Sequence, residues 1–146
     1  MLPSPWNAMP EAREGRNHGA PSYARDVSVP EDTPIPSPVD GVVVYRGWVG
    51  SLDGAKPSSG GWGIVIRDES AAEYWMMLHG DGVYLVALGV RVRRGQSVMQ
   101  SGNSGYSFGP HVHVERWHES MPGRWFPKGV FIDPFGVAHI GAALSE

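Results

Sequence analysis

The 146-residue sequence contains no cysteine. Disulfide bonds and thiolate metal sites are therefore excluded, so any bound metal must be held by histidine, aspartate, glutamate and water. No apolar run comes near the roughly 18 residues that a membrane-spanning helix requires. The first residues, MLPSPWNAMPEAREGRNHG, lack the basic-then-apolar pattern of a signal peptide. We therefore expect neither a membrane span nor a signal peptide in this chain.

Positive charge is also sparse. The chain has 12 Lys and Arg against 15 Asp and Glu, a net charge of −3, and its one dense basic run is Arg91, Arg93 and Arg94. A nucleic-acid partner is not expected, because such a partner calls for a broad basic surface. Hydrophobic residues make up 41% of the sequence and charged residues 18%, which is ordinary for one globular domain of this length. We expect a single domain that acts as a monomer.

Glycine and proline, by contrast, are frequent, with 20 and 13 residues. Together with short β-branched and aromatic runs, they predict many short strands joined by turns, and no stretch indicates a helix. The predicted strands are 41–48, 62–68, 73–79, 90–93, 96–101 and 111–117, with turns at sequences such as HGDG and SGNSG. The predicted fold class is all-β, a compact antiparallel sheet or sandwich. Residues 1–17 are expected to form an extended arm anchored by Trp6, residues 18–136 the domain and residues 137–146 a tail.

Two of the six histidines, His111 and His113, stand one residue apart in a predicted strand. Residues i and i+2 of a strand project to the same face about 7 Å apart, which suits a metal ligand and a neighbour that transfers protons. The pair alone is equally consistent with one buried, hydrogen-bonded imidazole and one surface histidine. His18 and Asp26 would complete a common zinc set of three protein ligands with one open position. Alternatively, Asp26 caps a turn, and His18 is a surface residue.

Four segments together resemble the lysostaphin/LytM-type zinc endopeptidases of bacterial cell walls. They are DVSVPEDTPIPSPVDGVVV, GGWGIVIRD, MMLHGDG and VRVRRGQSVMQSGNSGYSFGPHVHVERW. The resemblance extends from His18 to Asp133 and includes the D-x-x-x-P-x-x-T-P entry, the V-x-x-G-Q hairpin and the S-G-x-S-G-x-S-x-G-P-H-x-H approach. It implies a duplicated-hybrid-motif-like β fold with a loop-lined zinc groove.

The resemblance also implies a division of labour among the site residues. By motif position, His18, Asp26 and His113 would bind one Zn²⁺ per chain, whereas His79 and His111 would serve as acid/base groups. The loop residues Asn103, Ser104, Tyr106 and Ser107 would line a peptide groove, although SGNSGYSFG is equally readable as a turn. Glu115 lies on the same strand face as both histidines of the H-x-H, so we expect it to hydrogen-bond a ligand imidazole.

One departure from the motif concerns the first ligand. The common entry motif has its histidine four positions before the aspartate, where this chain has Ser22, and His18 stands eight positions before Asp26. A variant with the histidine further upstream and a Tyr-Ala pair before the aspartate fits Tyr23 and Ala24. Were His18 not the ligand, His118 or His139 would be its substitutes.

The predicted function is zinc-dependent hydrolysis of peptide bonds in peptidoglycan, in a stem peptide or cross-bridge. The protein would act at the cell wall, whether extracellular, periplasmic or associated with a phage virion. The first alternative is an inactive family member that binds or activates at the wall, favoured by Ser22. A remote alternative is a phosphotransfer or carrier domain of similar β architecture. A carrier needs a lysine at a hairpin tip, and the two lysines, Lys56 and Lys128, are not in such a context.

Overall fold

The chain folds as antiparallel β-strands in the computed structural model, which describes residues 2–51 and 59–136. The strands of this part are β1 Arg13–Asn17, β2 Arg25–Ser28, β3 Pro34–Pro36, β4 Gly41–Trp48, β5 Trp62–Asp68, β6 Glu73–Tyr84, β7 Arg91–Val92, β8 Ser97–Ser101, β9 His111–His118 and β10 Val130–Ile132. Helical structure in the same residues is limited to two three-residue 3-10 turns, Trp6–Ala8 and Val49–Ser51. Neither turn is long enough to cross a membrane. The predicted all-β antiparallel fold is confirmed.

The main sheet has the order β1-β2-β9-β6-β5-β4-β7. β10 extends it beside β9, and β8 pairs with both β3 and β6. β9 and β6 are therefore interior strands, with β2 on the other side of β9. The residues of the predicted site lie on these three neighbouring strands and on the loops that precede β2 and β9.

The central strands bury both faces. On β5, Ile64 and Ile66 belong to one hydrophobic cluster and Val65 to a second cluster on the opposite face. On β9, Val112 and Val114 pack into the first cluster, so the intervening His113 points to the opposite face. Burial on both faces explains why WGIVI and EYWMML are nearly continuous apolar runs rather than alternating ones.

β6 differs from its predicted extent. The sequence HGDG was expected to be a turn, but β6 runs through it to Tyr84. On one edge of β6 the partner changes there from β9 to β8, while β5 is still paired at Gly80, and the register shifts in both the β5 and the β8 ladders. His79 has a φ of 68° at this point, so the backbone bends without ending the strand. Glycine and aspartate thus mark a bulge rather than the predicted turn.

Four strands were not predicted: β1, β2, β3 and β10. All five residues of β1 are exposed, so its sequence REGRN carries no alternation of apolar and polar residues. β3 is Pro-Ile-Pro, so within it only Ile35 has a backbone N–H to donate to the ladder. These strands form because neighbouring strands offer hydrogen-bonding edges, which is a tertiary effect.

The N-terminal segment packs against the domain. Trp6 is 1% exposed and lies in the larger hydrophobic cluster with Leu2 and Ala12, and β1 pairs with β2. The predicted tail 137–146 with His139, and the loop residue Lys56, lie outside the described residues.

Candidate metal centre and groove

Strand pairing brings the predicted site residues together. Asp26 on β2 is the cross-strand partner of His113 on β9, and His113 is in turn the partner of Leu78 on β6, next to His79. Residues directly opposite each other on neighbouring strands have side chains about 5 Å apart on the same face. Asp26 and His113 therefore meet on one sheet face beside Leu78, and His79 follows next along β6.

His18, Asp26 and His113 form a cluster that could hold a metal ion, with one potential ligand atom from each residue within 4.8 Å of the others. Asp26 Oδ1 lies 2.9 Å from His18 Nε2 and 3.1 Å from His113 Nδ1. His18 reaches this position because its backbone N–H donates to the Ala24 carbonyl across the loop. Two imidazole nitrogens and one carboxylate oxygen fit zinc, which accepts this donor set.

The other ring nitrogen of His113 has its own partner. His113 Nε2 lies 2.9 Å from Glu115 Oε2, and Lys128 Nζ donates to Glu115 Oε1. His113 thus has Nδ1 directed at the cluster and Nε2 directed away from it. The predicted placement of Glu115 beside a ligand imidazole corresponds to this contact.

The charges in the cluster are coupled. Burial by itself would lower the pKa of His113, but the hydrogen bonds with Asp26 and Glu115 outweigh it and raise this pKa to about 9. Burial would raise the pKa of Glu115, but His113 and Lys128 lower it to about 2. Burial disfavours the ionised form of Asp26, but the hydrogen bonds with His113 and His18 favour it. As a result, the pKa of Asp26 is lowered. Asp26 and Glu115 are therefore ionised at neutral pH, and the His113 ring lies between their two carboxylates.

His79 and His111 lie beside this cluster. The ring centroid of His79 is 4.8 Å from that of His111 and 5.9 Å from that of His113. His79 Nδ1 lies 2.7 Å from the Ser104 carbonyl oxygen, and His111 Nδ1 lies 2.8 Å from the Gly109 carbonyl oxygen. A carbonyl can only accept, so each Nδ1 carries the hydrogen, and each neutral ring has a lone pair at Nε2.

The direction of His79 depends on a strained backbone. Leu78 packs on the site face of β6, so regular alternation would point the next side chain to the opposite face. The φ of 68° at His79, in the left-handed region, turns it back to the groove. Bulges next to functional sites commonly re-aim a side chain in this way. Burial then lowers the pKa of His79 to about 4, so the ring is neutral at pH 7.

The carbonyl groups of Ser104 and Gly109, which contact His79 and His111, belong to the loop before β9. Side-chain hydrogen bonds hold this loop in place. The Ser104 side chain accepts from the Trp62 N–H and donates to the Gly80 carbonyl, which fixes the loop to the bulge in β6. Asn103 Oδ1 accepts from the Ser107 hydroxyl.

A groove of about 610 Å³ runs along this face, lined by all five predicted metal and acid/base residues together with Glu115, Tyr106 and Ser107. Asn103 and Ser104, predicted for the same role, are not among its lining residues. Phe108 also lines it and is 91% exposed, with its ring 5.1 Å from that of Tyr106.

Sequence reasoning did not single out Phe108, Arg16 or Lys128 as groove residues. For Phe108, the sequence signal was an aromatic residue between Ser107 and Gly109, inside a predicted turn. Arg16, two residues before His18, and Lys128, outside the quoted motifs, carried no comparable signal. His118, a substitute ligand, is exposed at the end of β9, where its Nδ1 lies 3.0 Å from the Glu119 carbonyl.

Comparison with known proteins places these features in a family. A family model described as Peptidase family M23 matches residues 20–134. Glycyl-glycine endopeptidase ALE-1 of Staphylococcus capitis is 32% identical over 116 residues, which are 80% of this chain and 29% of that protein. Peptidoglycan DD-endopeptidase ShyA of Vibrio cholerae is 31% identical over 96 residues, 66% of this chain and 20% of that protein. The chain thus spans less than a third of either curated relative.

The fold is shared as well. The solved catalytic domain of the antimicrobial peptidase lysostaphin from Staphylococcus simulans superposes with a TM-score of 0.64 at 25% identity, over 75% of this chain and 83% of that one. The family match starts two residues after His18, so it includes Asp26, His79, His111 and His113 but not the first predicted ligand. With a family match over most of its length and the same fold, the chain belongs to peptidase family M23.

Proposed function

We propose that this protein hydrolyses peptide bonds in bacterial peptidoglycan, with zinc held by His18, Asp26 and His113. The observation that carries the proposal is the convergence of these three donors beside two histidines whose Nδ1 atoms donate to backbone carbonyls. The names of the M23 relatives support the substrate class, since one is a glycyl-glycine endopeptidase and another a peptidoglycan DD-endopeptidase.

In this proposal, the residues around the zinc ion have distinct roles. Zinc held by these residues would supply Lewis-acid polarisation of a scissile carbonyl and a nucleophile at neutral pH. Asp26 contributes negative charge, which offsets part of the ion's charge. His113 offers Nδ1 and keeps its Nε2–H on Glu115, which fixes the ring orientation.

His79 and His111 handle protons. Each neutral ring accepts a hydrogen bond at Nε2, so each can orient the attacking water. An amide nitrogen must gain a proton before it leaves, and the ring that takes the water's proton can deliver it. His111 Nε2 lies 3.7 Å from Asp26 Oδ2, a carboxylate that stabilises a protonated ring. His79 is more deeply buried, and we therefore assign His111 as the proton carrier and His79 as the residue that orients the reacting groups.

The groove suits an extended peptide. Tyr106 and Phe108 line it with exposed aromatic rings. The Ser107 hydroxyl lies 3.3 Å from His111 Nδ1 and at the groove wall. These groups would contact the substrate backbone and side chains next to the scissile bond. Because one relative is a peptidoglycan endopeptidase by name, we place the site of action at the cell wall. We expect a monomer to suffice.

The experiment is digestion of purified sacculi of several cross-link types with zinc-loaded protein, followed by mass spectrometry of the released fragments. We expect new amino termini at one defined stem or bridge bond, and their loss on addition of a chelator. The new terminus identifies the bond. Release of sugar fragments with intact peptides would instead contradict peptidase action.

The main alternative is an inactive module that binds the wall. It predicts that zinc-loaded protein sediments with sacculi but releases nothing from any cross-link type. The same sacculi incubated with an active M23 endopeptidase provide the positive control. Binding without release in that setting would replace the hydrolase proposal with the alternative.

A further inference from the structure

Lys128 lies at the far end of a chain of contacts that leads to the metal cluster. Its Nζ donates to Glu115 Oε1, and the other oxygen of that carboxylate, Oε2, lies 2.9 Å from His113 Nε2. The side chains of Glu115 and His113 are 10% and 14% exposed, and that of Lys128 is 23% exposed. All three line the groove, although the mechanism above assigns no role to Lys128.

The carboxylate has two oxygens and two partners, one for each. A buried ionised carboxylate with one partner removed is costly and tends to shift towards another donor. Glu115 Oε2 lies against His113 while Oε1 accepts from Lys128. Lys128 therefore acts on the imidazole through Glu115, without touching the ring itself.

The backbone around Lys128 holds it in place. A Cβ on the next residue, Gly129, would lie 2.2 Å from the His118 carbonyl oxygen, so only glycine lets this segment come so close to the end of β9. β10 then pairs with β9, with Phe131 opposite Trp117. The Lys128 ammonium lies 5.5 Å from the Trp117 ring centroid and 5.9 Å from that of Phe131.

We propose that Lys128 is a positioning residue of the metal site, which holds Glu115 so that His113 keeps its hydrogen on Nε2 and presents Nδ1 to the ion. The role rests on the proposed ligand set. A histidine ligand usually donates its second N–H to a carboxylate or carbonyl, and removing such a partner costs 10- to 100-fold in metal affinity. In this protein, Lys128 in turn orients the Glu115 carboxylate that contacts His113.

The test compares the zinc affinity of Lys128→Met, Lys128→Arg and Arg116→Met in the full chain, by competition with a chelator of known affinity at fixed pH. Methionine keeps an unbranched apolar stem but removes the charge. Arg116 is the matched control, because it pairs with Glu73 at 2.8 Å, is 17% exposed and lies 4.9 Å from the Trp75 ring centroid, away from the cluster.

We expect Lys128→Met to weaken zinc binding about tenfold or more, and Lys128→Arg to recover most of that loss. Arg116→Met should bind zinc like the wild type. Unchanged zinc affinity in Lys128→Met would overturn the proposal, and so would equal losses in Lys128→Met and Arg116→Met, since these would indicate a general loss of packing.

A second readout needs no variant. Long-range ¹⁵N–¹H correlation spectra of the zinc-loaded wild type assign the hydrogen of each histidine ring. We expect His113 to carry it on Nε2, and a hydrogen on Nδ1 would overturn the proposal even if Lys128→Met failed to fold. Neither measurement uses a substrate. An inactive wild type with tight zinc binding would therefore contradict the proposed hydrolysis and leave this inference standing.

Discussion

At residue scale, the proposed first ligand, His18, stands outside the common motif position. Ser22 occupies the position four residues before Asp26, yet His18 Nε2 is the atom that reaches the Asp26 carboxylate. The Ser22 hydroxyl accepts instead from the Ala24 N–H in the loop. We predict that His18→Ala and His113→Ala each lose bound zinc, whereas Ser22→Ala retains one equivalent. Metal analysis of the dialysed proteins measures this, and stoichiometric zinc in either histidine variant would refute its assignment.

The two remaining histidines give the opposite expectation. His79→Ala and His111→Ala remove acid/base groups that are not proposed ligands, so each should keep zinc and lower turnover by about 100-fold or more. Turnover on sacculi and zinc content are measured on the same samples. Loss of zinc from either variant would show that the ligand and acid/base assignments are exchanged.

At the scale of an element, the loop before β9 connects the bulge in β6 to the H-x-H strand. Gly61 lies beneath it with a φ of 63°, and a Cβ there would lie 2.4 Å from Ser104 Oγ. We predict that Gly61→Ala pushes the loop away and misplaces His79 through its bond to the Ser104 carbonyl. Zinc content should persist while turnover falls about 10- to 100-fold.

The control for this variant is Gly95→Ala. Gly95 also has a positive φ, 88°, but a Cβ there would have nothing within 4 Å. It carries the same kind of backbone strain, about 1–2 kcal/mol, without a steric clash near the site. Equal turnover in the two alanine variants would show that the loop does not position His79.

At the scale of the whole molecule, the N-terminal segment is the clearest test of domain extent. Trp6 is 1% exposed in the larger hydrophobic cluster. We predict that Trp6→Ala lowers the free energy of unfolding by about 3–5 kcal/mol, from lost burial and the cavity left behind. Urea unfolding measures this, with Phe108→Ala as the control at a 91% exposed side chain, expected to change stability by less than about 0.5 kcal/mol. An unchanged free energy of unfolding in Trp6→Ala would show that residues 1–17 do not contribute to the stability of the domain.

Several parts of the fold could be predicted because their signals are local. The strands at 41–48 and 62–68 coincide with β4 and β5, since their runs of Val, Ile and aromatic residues are dense and bounded by turn residues. The side-by-side projection of His111 and His113 follows from strand geometry alone. β1 could not be predicted, because an exposed strand without apolar alternation exists only when β2 offers its edge.

By itself, the sequence determined the all-β class, the absence of thiolate chemistry and a short set of candidate residues, because composition, turn residues and short β-branched runs are local properties of the chain. The tertiary structure alone decided which candidates meet. It brought His18 to Asp26 across a loop and turned His79 into the groove at a bulge. It also joined Lys128 to His113 through Glu115. Each of these contacts depends on strand pairing and backbone bends between distant segments, which no local pattern encodes.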